Sequence, residues 1–160
     1  LAPLMLLILI VLRFETRNPL FYQDRVGLNG EVFQIVKFRT MKEDTPNMPT
    51  HLVKSDSVTK IGALLRNTKF DELPQFYNVL KGEMSIVGPR PCLPTQHELI
   101  EHRLKHSVFC LQPGITGIAQ IKGVDMTTPE LLALTDSEAL PNISMVQYLT
   151  TLVKTIRAII

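Results

Sequence analysis

Residues 1–12 read LAPLMLLILIVL, an apolar run without a single charge. Such a run has to be covered by protein or by lipid, and that requirement constrains the rest of the fold. As a helix, twelve residues extend about 18 Å, well short of the roughly 30 Å hydrocarbon layer of a bilayer. The run does not span a membrane by itself. Neither a starting Met nor a basic leader precedes it, so a secretory signal is a poor fit. Three readings stay open: a buried core helix, the end of a truncated span, or one limb of a segment that enters the membrane and turns back. Pro3 suits a turning point near Ala2-Pro3, because proline inside an apolar helix removes a hydrogen bond and bends it. Arg13 and Arg17 come next and can anchor on lipid phosphates. The sequence reads as one that opens in the middle of its apolar segment.

At 160 residues, 45% hydrophobic and 20% charged, the chain has the material for one domain with a real core. Its net charge of +2 gives no basis for nucleic-acid binding, and no basic block with interleaved aromatics occurs. Cys92 and Cys110 form no CxxC pair and read as reduced, packed thiols. His102 and His106 stand at i, i+4, but no third ligand accompanies them and the spacing is not HExxH.

Local patterns predict an α+β chain. Residues around Leu20–Tyr22 and Val32–Phe38 read as strands of a hairpin or a short sheet, with the Gly27 and Asn29-Gly30 turn-rich stretch between them. Lys37 and Arg39 are then two residues apart on one strand face. Glu43 to Ser57 is polar and reads as a loop. The segment SVTKIGALLRNT, residues 57–68, has helical spacing and ends near Asn67. Leu73, Phe76, Tyr77 and Leu80 follow i, i+3, i+4, i+7, with Gly82 as the stop. Pro74 fits only the first turn of that helix, so Asp71 is expected at or near the N-cap and Glu72 in the first turn. Both acids then sit at the positive end of the helix dipole. Pro89, Pro91 and Pro94 make a stiff loop around Arg90. TQHELIEHRLKHSVFCL, residues 95–111, reads as one helix, and QPGITGIAQIKG, residues 112–123, as a Gly-rich loop. Residues 144–160 place Met145, Val146, Leu149, Leu152, Val153, Ile156 and Ile160 on one broad face, suited either to a membrane interface or to ordinary packing.

Adjacent acids, scattered cations and glycine-rich turns are parts suited to phosphate and a divalent metal. In order, FYQDRVGLNGEVFQIVKFRTM, KIGALLRNTKFDELPQFYNVLKGEMSIVGPRP and PGITGIAQIKG carry a resemblance. The chain resembles the bacterial sugar transferases, the monotopic polyprenyl-phosphate phosphoglycosyl transferases, from Pro19 to about Gly123. The resemblance implies a catalytic domain over residues 19–160, with residues 1–18 as the C-terminal limb of a re-entrant membrane helix and amphipathic segments on the membrane surface. Ala2-Pro3 stands where the family turns at Ser-Pro, and the chain stops before the family's usual basic tail. It implies Asp71 as nucleophile with Glu72 as its partner, and Mg²⁺ held at the pair. Arg90, Arg66, Lys37 and Arg39 would bind substrate phosphate. Gly117, Gln120 and Lys122 would lie in the nucleotide-sugar region. The donor implied is a UDP-sugar and the acceptor polyprenyl phosphate, with UMP released. The other implied partners are membrane lipids and a second copy of the chain. The implied location is the cytoplasmic face of a bacterial inner membrane.

Three departures from the family pattern stand out. Gly123-Val124 replaces a Gly-Arg pair, with Lys122 as a candidate substitute cation. Phe70 replaces a commoner leucine, and the stretch around Asp136 follows the family only loosely. The residues themselves leave Asp71 open between a helix cap and a nucleophile. They also leave open a metal-dependent phosphohydrolase acting on a lipid diphosphate, and an inactive membrane-bound scaffold. The identity of the sugar is not written in the sequence.

Overall fold

A computed structural model describes residues 1–45, 57–139 and 143–159. Its elements run α1 (Ala2–Arg13), β1 (Leu20–Val26), β2 (Val32–Phe38), α2 (Lys60–Asn67), α3 (Phe76–Leu80), β3 (Ser85–Val87), α4 (His97–Lys105), β4 (Gly114–Thr116), α5 (Ile118–Ile121), α6 (Pro129–Ala139) and α7 (Met145–Ile159). The α+β class expected from the sequence is what forms. The expected loop from Glu43 to Ser57 lies mostly outside the described residues. The chain divides into two compact units, residues 1–23 with 35–77 and residues 24–34 with 78–160.

In the first unit, α1 is covered on one stripe only. Ile8 and Leu12 are buried with Phe38 and Leu65, and Met5, Leu9, Leu20, Ile61 and Leu73 pack around them. Leu1, Leu4, Leu6, Leu7, Ile10, Val11 and Phe14 remain exposed, Phe14 at 90%. The apolar run is thus not a fully buried core helix. No helix among the described residues is long and apolar enough to cross a membrane. Helix α2 ends at Asn67 as expected, and at its start the Thr59 side chain accepts from the Gly62 N–H at 2.9 Å, satisfying one of the orphan donors of the first turn. Gly62 packs so closely on the Thr40 backbone that a Cβ would strike it.

The strands β1 and β2 pair as a two-stranded sheet. The turn between them is too short for anything but a hairpin. Asn29 (φ 55°) and Gly30 (φ 78°) supply its left-handed positions. β1 is longer than the sequence pattern indicates, extending through Val26.

The second unit is built round Val26, Cys92, Leu99, Phe109, Ala119 and Leu132. β3 and β4 pair in parallel, Ser85 opposite Gly114 and Val87 opposite Thr116. The sequence had read the β4 region as loop. Three-residue strands carry too little periodicity to be seen, and their pairing partner lies across α4, as a parallel connection requires. Helix α4 is also shorter than expected: it ends at Lys105, and Ser107 in the left-handed region (φ 55°) starts a separate 3-10 turn at Val108–Cys110. That turn leaves Cys110 exposed, contrary to the packed thiol expected from the sequence; Cys92 is buried as expected. Helix α7 turns Thr151 and Thr155 inward, the latter sharing a 2.7 Å hydrogen bond with Thr116. Its stripe of Met145, Val146, Leu149, Val153 and Ile156 is exposed.

Candidate active site

The acidic pair does not open an α-helix. Phe70–Gln75 forms a 3-10 turn, and only Phe76–Leu80 is α-helical. Pro74 explains this: lacking an N–H, it cannot close the α-type bond back to Phe70, so the tighter turn persists for one more residue. Lys69 occupies the N-cap, in the left-handed region at φ 57°, and no side chain caps the turn. Asp71 and Glu72 are therefore in the first turn, near the N-cap as expected, but Asp71 is not the cap itself. It lies inside the turn and is buried. The expected apolar helix face also fails to form as one core face, since Tyr77 and Leu80 are exposed while Leu73 packs in the first-unit core.

Five charged groups of the first unit act on one another: Asp71, Glu72, Lys37, Lys69 and Arg66. Lys37, near the end of β2, donates from Nζ to Glu72 Oε1 at 2.6 Å, both side chains largely buried. Arg66, in the last turn of α2, donates from Nε to the Thr40 hydroxyl at 2.8 Å. Asp71 Oδ1 is buried without a hydrogen-bond partner among the described residues. Burial, and then the neighbouring Glu72 charge, push the Asp71 carboxyl above the usual carboxylate range. The positive charges of Lys37, Lys69 and Arg66 work against that rise. Burial in turn lowers the Arg66 guanidinium, with Asp71 opposing.

The other predicted positions have different surroundings. Arg39 donates from Nε to the Asn18 carbonyl at 2.7 Å and lies 5.6 Å from the centre of the Phe21 ring. The backbone and an aromatic face thus engage it, and it is just past the end of β2. Arg90, Gly117, Gln120 and Lys122 belong to the second unit. Arg90 is half-buried between the buried Pro89 and Pro91. Gly117 precedes α5 with extended backbone, and a Cβ there would strike the Gly88 carbonyl, so close packing is what calls for glycine. Gln120 donates to the Ile115 carbonyl at 3.4 Å while its buried Oε1 has no partner among the described residues. Lys122 is exposed at the end of α5. Val124, the departure from the family's arginine, packs against the second-unit core.

Sequence reasoning missed Lys69 and Thr40 as members of the first-unit cluster. Both adjoin recognised segments: Lys69 stands two residues before Asp71, and Thr40 directly follows Arg39. It also missed the pairing of Arg103 with Asp136, which no local pattern announces.

A buried carboxylate oxygen with no partner among the described residues, beside a second acid and three cations, is equipped to meet phosphorus or a metal ion, because its lone pairs are uncommitted while positive groups balance its charge. Comparison with known proteins bears on that chemistry. The chain is 42% identical over 128 residues to the UDP-glucose:undecaprenyl-phosphate glucose-1-phosphate transferase of Caulobacter vibrioides, covering 77% of this chain and 48% of that protein. It is 43% identical over 135 residues to the undecaprenyl-phosphate glucose phosphotransferase of Komagataeibacter xylinus, covering 77% of this chain and 25% of that protein. It is 35% identical over 178 residues to the exopolysaccharide production protein ExoY of Rhizobium meliloti, covering 99% of this chain and 77% of that protein. The chain thus spans less than half the length of the first two relatives. The profile of the bacterial sugar transferases matches residues 1–160 from end to end, and the chain belongs to that family.

Proposed function

We propose that this chain transfers a sugar phosphate from a UDP-sugar to a polyprenyl phosphate, with Asp71 as the nucleophile. The observation that carries this reading is the buried Asp71 oxygen with no partner among the described residues, beside Glu72 and under the charges of Lys37, Lys69 and Arg66. In the first step an Asp71 oxygen attacks the phosphorus that bears the sugar. The bond from that phosphorus to the UMP oxygen breaks, and UMP leaves. In the second step an oxygen of the lipid phosphate attacks the same phosphorus, the acyl-phosphate bond breaks, and Asp71 is freed as carboxylate. Dividing the transfer in this way predicts ping-pong kinetics. Lys37 holds Glu72 in place, and the cations hold Asp71 toward the ionised form the attack requires.

The same residues fit Mg²⁺. Among the described residues no cluster of three or more His, Cys, Asp or Glu side chains could hold a metal ion. Mg²⁺ commonly needs only one or two carboxylates, with substrate phosphates and water completing its shell. Asp71 and Glu72 would provide those carboxylates, and the orphaned Asp71 oxygen and the mutual repulsion of the pair are what a cation would relieve. When bound, Mg²⁺ would neutralise charge on the diphosphate. We assign Arg90 to phosphate binding on the family resemblance, together with Gly117, Gln120 and Lys122 as the nucleotide-sugar region. The exposed apolar residues of α1 and α7 support seating on a membrane surface, with α1 as the limb of a re-entrant segment.

The test is to trap a radiolabelled sugar phosphate on the protein from labelled UDP-sugar. Polyprenyl phosphate should discharge the label far faster than water does. Discharge by water at the same rate would favour a phosphohydrolase, and absence of any trapped label together with absence of UMP release would favour an inactive scaffold. A panel of UDP-sugars in the same assay identifies the sugar.

A further inference from the structure

The segment from Gly88 to Cys92 reads GPRPC, and its prolines decide how it can be held. Pro89 and Pro91 have no N–H, so the segment keeps backbone donors only on Gly88, Arg90 and Cys92. The prolines stiffen it locally: each fixes its own φ, and Pro91 keeps Arg90 out of the α region. Local stiffness does not set the direction in which the segment points. Direction comes from anchors elsewhere in the fold, and a stretch poor in donors is anchored largely through its carbonyls.

The second unit brings those outside donors. On one side the segment is tied to β4: Gly88 N–H donates to the Thr116 carbonyl at 2.8 Å, and the Pro89 carbonyl accepts from Gly114 N–H at 3.0 Å. On the other side the donors come from the end of β1. The Cys92 carbonyl accepts from Val26 N–H at 2.9 Å, an isolated antiparallel bridge. The Pro91 carbonyl accepts from Arg25 Nη1 at 3.0 Å. Two consecutive residues of β1 thus hold two consecutive carbonyls, one through the main chain and one through a side chain. The carbonyl held by the side chain belongs to the residue that directly follows Arg90. From Gly88 to Leu93 every residue but Arg90 is buried, and Arg25 is half-buried. A charged donor makes the stronger kind of hydrogen bond, and losing it would leave a carbonyl of a buried residue without that donor.

We propose that Arg25 is a positioning residue for Arg90: by holding the Pro91 carbonyl it fixes the direction in which the proline-locked segment presents that arginine to a phosphate group. The proposal rests on the phosphate-binding role assigned to Arg90 above. A preorganised cation meets a phosphate without first having to be ordered, so the benefit appears in substrate binding.

The test uses the full-length protein in lipid nanodiscs and Arg25→Met, which keeps an unbranched apolar stem and removes the donors. Amide hydrogen exchange over residues 88–93 should accelerate about tenfold or more, while exchange in α6 is unchanged and melting stays cooperative. KM for the UDP-sugar should rise about fivefold or more, with a smaller change in kcat. Added to Arg90→Ala, Arg25→Met should cost less than about a further twofold, because its effect acts through Arg90. Arg25→Lys keeps a cation and a donor but not the planar fork, and should lie between wild type and Arg25→Met in both exchange and KM. If Arg25→Met loses its cooperative melt, Arg25→Lys carries the same comparison with Arg90→Ala. Unchanged exchange over residues 88–93 overturns the proposal. So does a melting temperature lowered with KM unchanged, which would make Arg25 a strut only. Losses that multiply with Arg90→Ala overturn it as well, since Arg25 would then contact phosphate in its own right. Exchange needs no substrate, so a wild-type protein that releases no UMP refutes the transferase reading separately.

Discussion

Each unit of this chain buries an aspartate with one oxygen that has no partner among the described residues, Asp71 in the first and Asp136 in the second. Burial raises both carboxyls, Asp136 to about 6. The difference lies in their company. Asp71 is flanked by another acid and by several cations, in a turn whose neighbours Lys69 and Phe70 are exposed. Asp136 has one cation, Arg103, and both are sealed at 1% exposure. An aspartate near the surface that is short of partners can recruit a ligand. A sealed one can act only on its neighbours. Burial of a carboxylate is therefore weak evidence for catalysis until its surroundings are known.

The largest expected effect breaks or secures this contrast. Asp71→Asn removes the nucleophile and one of two repelling charges. Sugar-phosphate transfer should fall by at least about 10⁴-fold, or ~5.5 kcal/mol of barrier. The melting temperature should hold or rise, because the side chain caps no helix and loses an unfavourable charge. Transfer assays and calorimetry on the same preparation check both halves. If Asp71→Asn were active and Asp136→Asn inactive with its fold intact, the roles of the two aspartates would be reversed.

Next in size is Arg103→Met, which leaves Asp136 buried without its cation. It should destabilise by about 3–5 kcal/mol, whereas adding Asp136→Leu should recover most of that loss. Denaturant melts of the single and double variants decide it. A double variant as unstable as the single one would mean that packing, not the unpaired charge, sets the cost.

The pH dependence comes third. Between the ordinary 3.8 and about 6, folded Asp136 keeps a proton that the unfolded chain has released. This group therefore favours folding most at pH values below 3.8, and its contribution declines as pH rises through about 6, by up to roughly 3 kcal/mol. Asp71 tilts stability in the same direction. Melting temperature plotted against pH should slope less steeply in the Arg103→Met/Asp136→Leu variant than in wild type. Activity should have the opposite slope, rising with pH as Asp71 ionises, and the acid limb should lie above the usual carboxylate range. Lys37→Met should have the smallest effect. Freeing Glu72 from its 2.6 Å partner should slow transfer by about ten- to a hundredfold, with little change in stability.

Much of the site was legible because it is local. The Asp71-Glu72 pair, Lys37 and Arg66 each sit in recognisable segments, and the first-unit fold does bring them together. What was misread is the turn. Helical spacing from Leu73 to Leu80 pointed to an α-helix with Asp71 at or near its N-cap, but Pro74 delays the α-helix to Phe76 and leaves Asp71 within the 3-10 segment. Val124 could be noted from the sequence only as a missing arginine, and packing shows it to be part of an apolar core.

By itself the sequence determined the elements whose reasons are contained in a few neighbouring residues. The Thr59 cap of α2 and the Asn29-Gly30 turn are such cases, since each rests on a side chain or a backbone torsion acting within a turn of itself. The tertiary structure alone decided the β3–β4 pairing, the outward stripe of α7 and the meeting of Arg103 with Asp136. Those depend on contacts between residues about thirty positions apart or more, whose free energy appears only after the intervening chain has been ordered, so no short window of sequence carries their signal.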